Sequence, residues 1–367
     1  MKIGMQGGGA SGKIESDVAV IGAGVIGLAI ALELERRGWA VAVIERGSSL
    51  SEASTAAGGM LAVEDPHNPP EMLPLSRLSG RLFPGFLGRI EELSGIVVPF
   101  QTETTLQYLE GGGTVRLEEH SIDPGQLAGG LMAAVWATSI QLLEQTRVTS
   151  LEETGGGVRL VTEAGMEIMA KAVVYAAGAW TAGVTSELAG EVVPVTPRKG
   201  QIMRVQVPAG LELNEVHRSG RIYVMPRTRG AQAGSAIIGA TVEDVGFDTT
   251  ARAEDVARLR ALAAELIPEL GSEIDAPLIE AWAGLRPATP DLLPCIGALG
   301  EVSGGQRPRQ FVASGHFRNG ILWAPGTAEV IADLIEGREP GIDISGLSPR
   351  RFSSSEQTET VAAHVGR

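Results

Sequence analysis

Residues 22–27 read GAGVIG. They follow the β-branched run DVAVI (17–21) and open an apolar stretch, LAIALELERR (28–37), that stops at Gly38. A second apolar run, WAVAVIERG (39–47), comes next. Strand, glycine turn, helix and strand within about thirty residues make a βαβ unit, whose two strands must be parallel. In such a turn Gly22 permits the tight bend, Gly24 lets backbone N–H groups approach a pyrophosphate, and Gly27 lets helix and strand pack closely. Glu45 ends the second strand, where a carboxylate accepts from ribose hydroxyls and disfavours a 2′-phosphate. The pattern predicts a dinucleotide and leaves NAD and FAD both open.

A second glycine-rich stretch precedes this one. Residues 7–13, GGGASGK, match the spacing of a triphosphate loop. Ile14 stands where Ser or Thr should meet magnesium, no strand has room to precede the stretch, and a strand rather than a helix follows it. The expectation is a flexible extension. The apolar run at 18–32 is shorter than the ~20 residues that span a bilayer and is interrupted by glycines. The formal net charge of −14 argues against nucleic acid and against an anionic membrane surface. One cysteine, Cys295, excludes an intrachain disulfide and fits a reducing cytoplasm. Five scattered histidines (His67, His120, His217, His316, His364) give no metal-site spacing.

Along the rest of the chain, SEASTAAGGML (51–61) reads as a small-residue loop or helix start, and 75–95 as a helix pair interrupted near Pro84. Asp123-Pro124 predicts a capped helix start, and AVVYAAG (172–178) a buried strand. From 192 to 246 the pattern is strand and turn, 251–270 is an amphipathic helix, and the helix after HFRNGIL (316–322) ends at Gly337. The nucleotide-binding character lies at both ends with a β-rich middle. The expected fold class is therefore α/β: a Rossmann-like dinucleotide-binding domain interwoven with a smaller α+β domain having an antiparallel sheet.

Several stretches add a resemblance. The 17–47 segment resembles the FAD version of the fingerprint. SEASTAAGGML resembles a flavin-contact segment of the D-amino-acid oxidase family, and AVVYAAGAW (172–180) the second strand-and-glycine motif of such flavoproteins. WAGLRPATPDLLPCIG (282–297) and FVASGHFRNGILWAPGTAEVIADLI (311–335) resemble the C-terminal signatures of that family's glycine oxidases. The resemblance spans about 15–345, and the stretch 95–121 looks shorter than the family usually has.

It implies non-covalent FAD, held by residues 14–80, 118–190 and 287–345, with substrate taken by 81–117 and 191–286 and flexible tails at 1–13 and 350–367. Cofactor contacts are expected from Gly22, Gly24, Val25, Ile26, Gly27, Glu45, Arg46, Ala53, Ser54, Gly58, Gly59, Met60, Val148 and Gly178, and from the loop His316, Phe317, Arg318, Asn319, Gly320, Ile321 and Leu322. The implied chemistry is oxidation of an amine next to a carboxylate, with glycine as substrate, oxygen as acceptor, and a place in thiamine thiazole formation. Such a substrate needs a fixed cation, for which the planar fork of arginine is suited. Arg286 and Arg318 match the family's carboxylate-side arginines, and Tyr223 a tyrosine that helps hold the carboxylate. No acid–base residue and no metal is expected. Val242 lies where the family can place a methionine, so sarcosine or D-alanine would also fit. A broader D-amino-acid or N-methylamino-acid oxidase and a non-catalytic dinucleotide-binding protein are the alternatives. A homo-oligomer and cytoplasmic location follow from the resemblance alone.

Overall fold

A computed structural model describes residues 13–66, 68–300 and 307–352. The glycine-rich extension before Lys13 and the chain after Phe352 lie outside them. Lys13 itself begins the strand Lys13–Glu15. Residues 350–352, expected in the flexible tail, belong to the 3-10 turn Pro349–Phe352, where Arg351 Nε donates to Asp291 at 2.8 Å.

The fingerprint unit forms as read. Val18–Ile21 pairs in parallel with Val41–Ile44 in the register Val18↔Val41, and Val25–Arg36 is the connecting helix. All eight strand residues are buried, as continuous apolar runs should be when both faces of a parallel sheet are covered. The full sheet has the order Cys295–Ala298, Gln310–Ser314, Ala172–Tyr175, Val18–Ile21, Val41–Ile44, Gln141–Leu143. Only the edge strand Cys295–Ala298 runs antiparallel. One face packs on the helices Val25–Arg36, Leu73–Ser94, Pro124–Trp136 and Gly320–Glu336. The other packs on an antiparallel layer that includes Val148–Thr154, Gly157–Thr162 and Glu167–Ala170.

Two of those helices are fastened at one end. Arg37, just past the first helix, donates to Asp333 at 2.7 Å and Glu336 at 2.9 Å on the last. Asp123 caps Pro124–Trp136 by accepting from Gly125 N at 2.8 Å. The helix pair expected around Pro84 is one helix, Leu73–Ser94. Pro84 sits on its exposed side, while Leu75, Ser79, Phe83, Leu87 and Ile90 form one buried stripe. Packing of that stripe outweighs the hydrogen bond that proline removes. The domain boundary expected at residue 80 falls inside this helix.

The second major sheet has the order Leu278–Ala288, Thr196–Gln206, Ser235–Gly239, Tyr223–Arg227, Val216–Arg218, Thr105–Tyr108, Thr114–Leu117. It draws two strands from before the helix Pro124–Trp136 and five from well after it. Its outer face packs on the helix Ala253–Leu266. Its inner face, with Ile202, Met225, Ile237 and Tyr223, packs toward Met60 of the small sheet formed by Met60–Leu61, His120–Ile122 and Phe100–Thr102.

Candidate active site

A cavity opens between the carboxyl ends of the parallel strands and the inner face of the antiparallel sheet, the place where ligands bind in open α/β sheets. At one end Gly24, Val25 and Ile26 line it. The helix that starts there has no acidic residue in its first turn and no cap from Gly24 itself; with only the Val25 N–H taken by a side chain among the described residues, its positive end favours an anion. Gly22 and Gly27 lie beneath the lining and are needed for close approach. A Cβ on Gly22, whose φ is +111°, would sit 2.4 Å from the Ala176 carbonyl oxygen, and one on Gly27 would sit 1.9 Å from that of Gly22. Ala53 and Ser54 line the same end, with Ser54 Oγ accepting from Val25 N at 2.9 Å. Glu45 accepts from Ala23 N at 2.9 Å and Gly47 N at 2.8 Å, which fixes its carboxylate beside the turn. This end fits the pyrophosphate and ribose of a dinucleotide.

The cavity then runs between two backbone segments. Gly58, Gly59 and Met60 line it as one wall, and His316 to Ile321 and Gly178 line it as well. The helix Gly320–Glu336 also starts at the cavity without a side-chain cap or a first-turn acid, so both helix N-termini favour negative charge here. His316 is buried, its Nε2 is 3.0 Å from Thr327 Oγ1, and burial pushes its pKa down to about 3. The imidazole is therefore neutral and held in the core packing. Asn319 Nδ2 donates to Asn68 Oδ1 at 3.2 Å.

Three expected residues are turned elsewhere. Arg46 lies over the ring of Trp180 at 4.1 Å. Leu322 is fully buried behind the loop, and Val148 is buried in the core on the far face of the parallel sheet. None of the three lines the cavity, and neither does Glu45, which stands behind the turn.

Tyr223, Arg286 and Arg318 line the cavity together. Arg286 comes from Leu278–Ala288, Tyr223 from Tyr223–Arg227 and Arg318 from the loop before the last helix. Arg286 Nη1 donates to the carbonyls of Thr241 at 3.0 Å and Lys199 at 3.5 Å. Among the described residues it has no ion-pair partner. Burial lowers its pKa, and the Tyr223 side chain opposes that shift; an arginine stays charged regardless. Burial raises the Tyr223 pKa against the nearby Arg286, Arg227 and Arg318, so the phenol is protonated and can donate. A guanidinium, a phenol and a second guanidinium, with Arg286 hydrogen-bonded only to carbonyls and the lining Asp65 placed beside Arg218 instead, form a carboxylate site.

Other residues that shape the site carry no motif. Gly200 stands against the Arg286 guanidinium, where a Cβ would come within 2.1 Å of Nη1. Arg227 is buried and donates to the carbonyl of Gly58 at 2.7 Å. Arg218 is buried with Glu119 at 3.1 Å and forms the far wall. The alternation in YVMPR, which puts Tyr223, Met225 and Arg227 on one strand face, is the one sequence signal that could have found Arg227. Among the described residues no cluster of His, Cys, Asp and Glu could hold a metal, and no helix is long and apolar enough to cross a membrane.

Residues 17–118 and 89–334 match the family model described as DAO, FAD dependent oxidoreductase. A glycine oxidase of Pseudomonas aeruginosa is 33% identical over 371 residues, covering 90% of this chain and 98% of that protein. A bifunctional protein ThiO/ThiG of Trichormus variabilis is 33% identical across 95% of this chain, which spans 57% of that protein. The crystal structure of glycine oxidase from Geobacillus kaustophilus superposes with a TM-score of 0.83 at 30% identity, covering 92% of this chain and 99% of that one.

Proposed function

The chain belongs to the DAO family of FAD-dependent oxidoreductases, and from that premise we propose that it oxidises glycine to glyoxylate and ammonia with oxygen as acceptor. The observation that carries the reading is Arg286, a half-buried cation in the cavity with only carbonyl partners among the described residues. FAD, when bound, would supply the hydride acceptor for the amine and the route by which the electron pair reaches oxygen as peroxide.

The residues present fit that group. Gly24, Val25 and Ile26 would hold the pyrophosphate, Glu45 the ribose, and Gly58–Met60 with the 316–321 loop the ring. The attachment is non-covalent in this reading: Cys295 is buried in the sheet and His316 faces Thr327. Arg286, Tyr223 and Arg318 bind the substrate carboxylate and thereby fix the position of its Cα. The cavity wall desolvates the substrate ammonium and lowers its pKa, which favours the neutral amine that can lose hydride. No protein base is needed, and His316, with its pKa held down to about 3 by burial and Nε2 against Thr327, is too weak a base to serve as one.

The substrate range extends to sarcosine and small D-amino acids, because Val242 leaves space where it lines the cavity. The division into an FAD unit (14–80, 118–190, 287–345) and a substrate unit (81–117, 191–286), a homo-oligomeric state, a cytoplasmic location and a role in thiamine thiazole formation belong to the same reading. Glyoxylate and peroxide appearing in equal amounts from glycine and oxygen is the expected result; glycine turnover without peroxide would refute the oxidase assignment.

A further inference from the structure

The inner face of Tyr223–Arg227 presents alternate residues to one backbone segment. A Cβ built on Gly58 would lie 2.9 Å from both Tyr223 Oη and Met225 Cε. Arg227 completes the row: Nη2 donates to the Gly58 carbonyl at 2.7 Å and Nη1 to that of Ile122 at 3.3 Å, with the side chain only 3% exposed. Ile122 N in turn donates to the Gly59 carbonyl at 2.8 Å. One guanidinium thus joins the sheet that carries Tyr223 to both strands around Gly58 and Gly59. Most buried arginines secure an ion pair; this one spends its donors on two carbonyls and leaves Nε without a partner among the described residues.

We propose that Arg227 is a positioning residue that sets the spacing between the Gly58–Met60 wall and the Tyr223–Arg286 carboxylate clamp. It rests on the reading of that wall as the flavin-ring contact. The geometry has a direct consequence. The clamp fixes the substrate carboxylate on the antiparallel sheet, and the wall fixes the ring on the small sheet. The distance from Cα to the ring then depends on how the two sheets are held together, and small errors in such a distance slow a reaction steeply. Docking of the strand does not depend on Arg227 alone. Thr228 N and Arg229 N both donate to Gln101 Oε1 at 2.9 Å, so removal of the guanidinium leaves the fold a second tie.

The test compares FAD-loaded Arg227→Met and Arg227→Lys with Leu259→Ala, a core truncation on the opposite face of the same sheet. For Arg227→Met the expected result is retained FAD, a flavin reduction rate at saturating glycine at least tenfold lower, and a glycine KM within threefold of the parent. The visible circular dichroism of the bound flavin should change as well. Arg227→Lys should recover part of the rate and shift the dichroism less. If the methionine variant does not fold, the lysine variant carries the same two readouts. Leu259→Ala, at an equal loss of thermal midpoint, should change neither. A reduction rate within threefold of the parent and an unchanged dichroism would overturn the proposal, as would both changes appearing in Leu259→Ala. If glycine fails to reduce the flavin of the parent protein, the substrate reading falls, and the dichroism still decides the role of Arg227.

Discussion

Gly200 and Arg286 lie on neighbouring strands two register positions apart, Gly200 opposite Gly284, and a Cβ on Gly200 would lie 2.1 Å from Nη1 and 2.2 Å from Cζ of the guanidinium. The absence of a side chain at 200 is what lets the arginine lie along the sheet and reach the Thr241 carbonyl. Gly200→Ala should displace the guanidinium and raise the KM for glycine about tenfold while FAD stays bound. Arg286→Ala should raise it further, by about 30-fold or more, because truncating one partner of a buried charged pair costs about 2–5 kcal/mol. Loss of FAD from either variant would show that the residues belong to the cofactor end.

The turn beneath the helix is equally unforgiving. A Cβ on Gly27 would meet the Gly22 carbonyl oxygen at 1.9 Å, and backbone cannot step aside cheaply. Gly27→Ala should weaken FAD binding at least tenfold, measured by titrating apoprotein with FAD and following flavin fluorescence. An unchanged affinity would remove the turn from the cofactor site.

His316 makes a pH prediction with a definite sign. Burial holds its pKa at about 3, below the ordinary histidine value. Between these values the unfolded chain binds a proton that the folded chain does not, so stability falls as pH drops below about 6.5. The cost approaches about 1.4 kcal/mol per pH unit. His316→Gln, which can still bond Thr327, should lose less thermal stability than the parent between pH 6.5 and 4.5. Equal losses would mean that His316 is protonated in the fold.

Much of this site was legible in the sequence, and for identifiable reasons. The 22–27 turn, Glu45 and the Asp123 cap are local signals whose meaning is set by neighbouring residues. Arg286, Tyr223 and Arg318 came from resemblance, and the fold brings them to one cavity. Pro84 is a local breaker whose effect is outweighed by the buried stripe that packs along the same helix. Gly200 carries no signal because its importance lies in a contact with a residue 86 positions away, and for Arg227 the alternation in YVMPR marks the strand face but not its partner Gly58, 169 positions away. Val148, Arg46 and Leu322 do not line the cavity, and for Val148 and the 316–322 loop the expected contact is through the backbone.

Val242, 48% exposed at the cavity margin, governs the expected substrate range. The parent protein should oxidise sarcosine and D-alanine with kcat/KM within about tenfold of that for glycine. Val242→Met should depress the D-alanine value by about tenfold or more relative to glycine, the scale on which a few methylenes discriminate in an apolar pocket. A parent enzyme that already favours glycine far above both would contradict this role.

The most direct test of the central claim is the absorbance spectrum of the purified protein before and after anaerobic addition of glycine. The account predicts a yellow protein with bound FAD that bleaches on addition of glycine and regains its colour when oxygen is admitted. A flavin that keeps its absorbance under excess glycine, or a colourless protein that binds NADH, would contradict it.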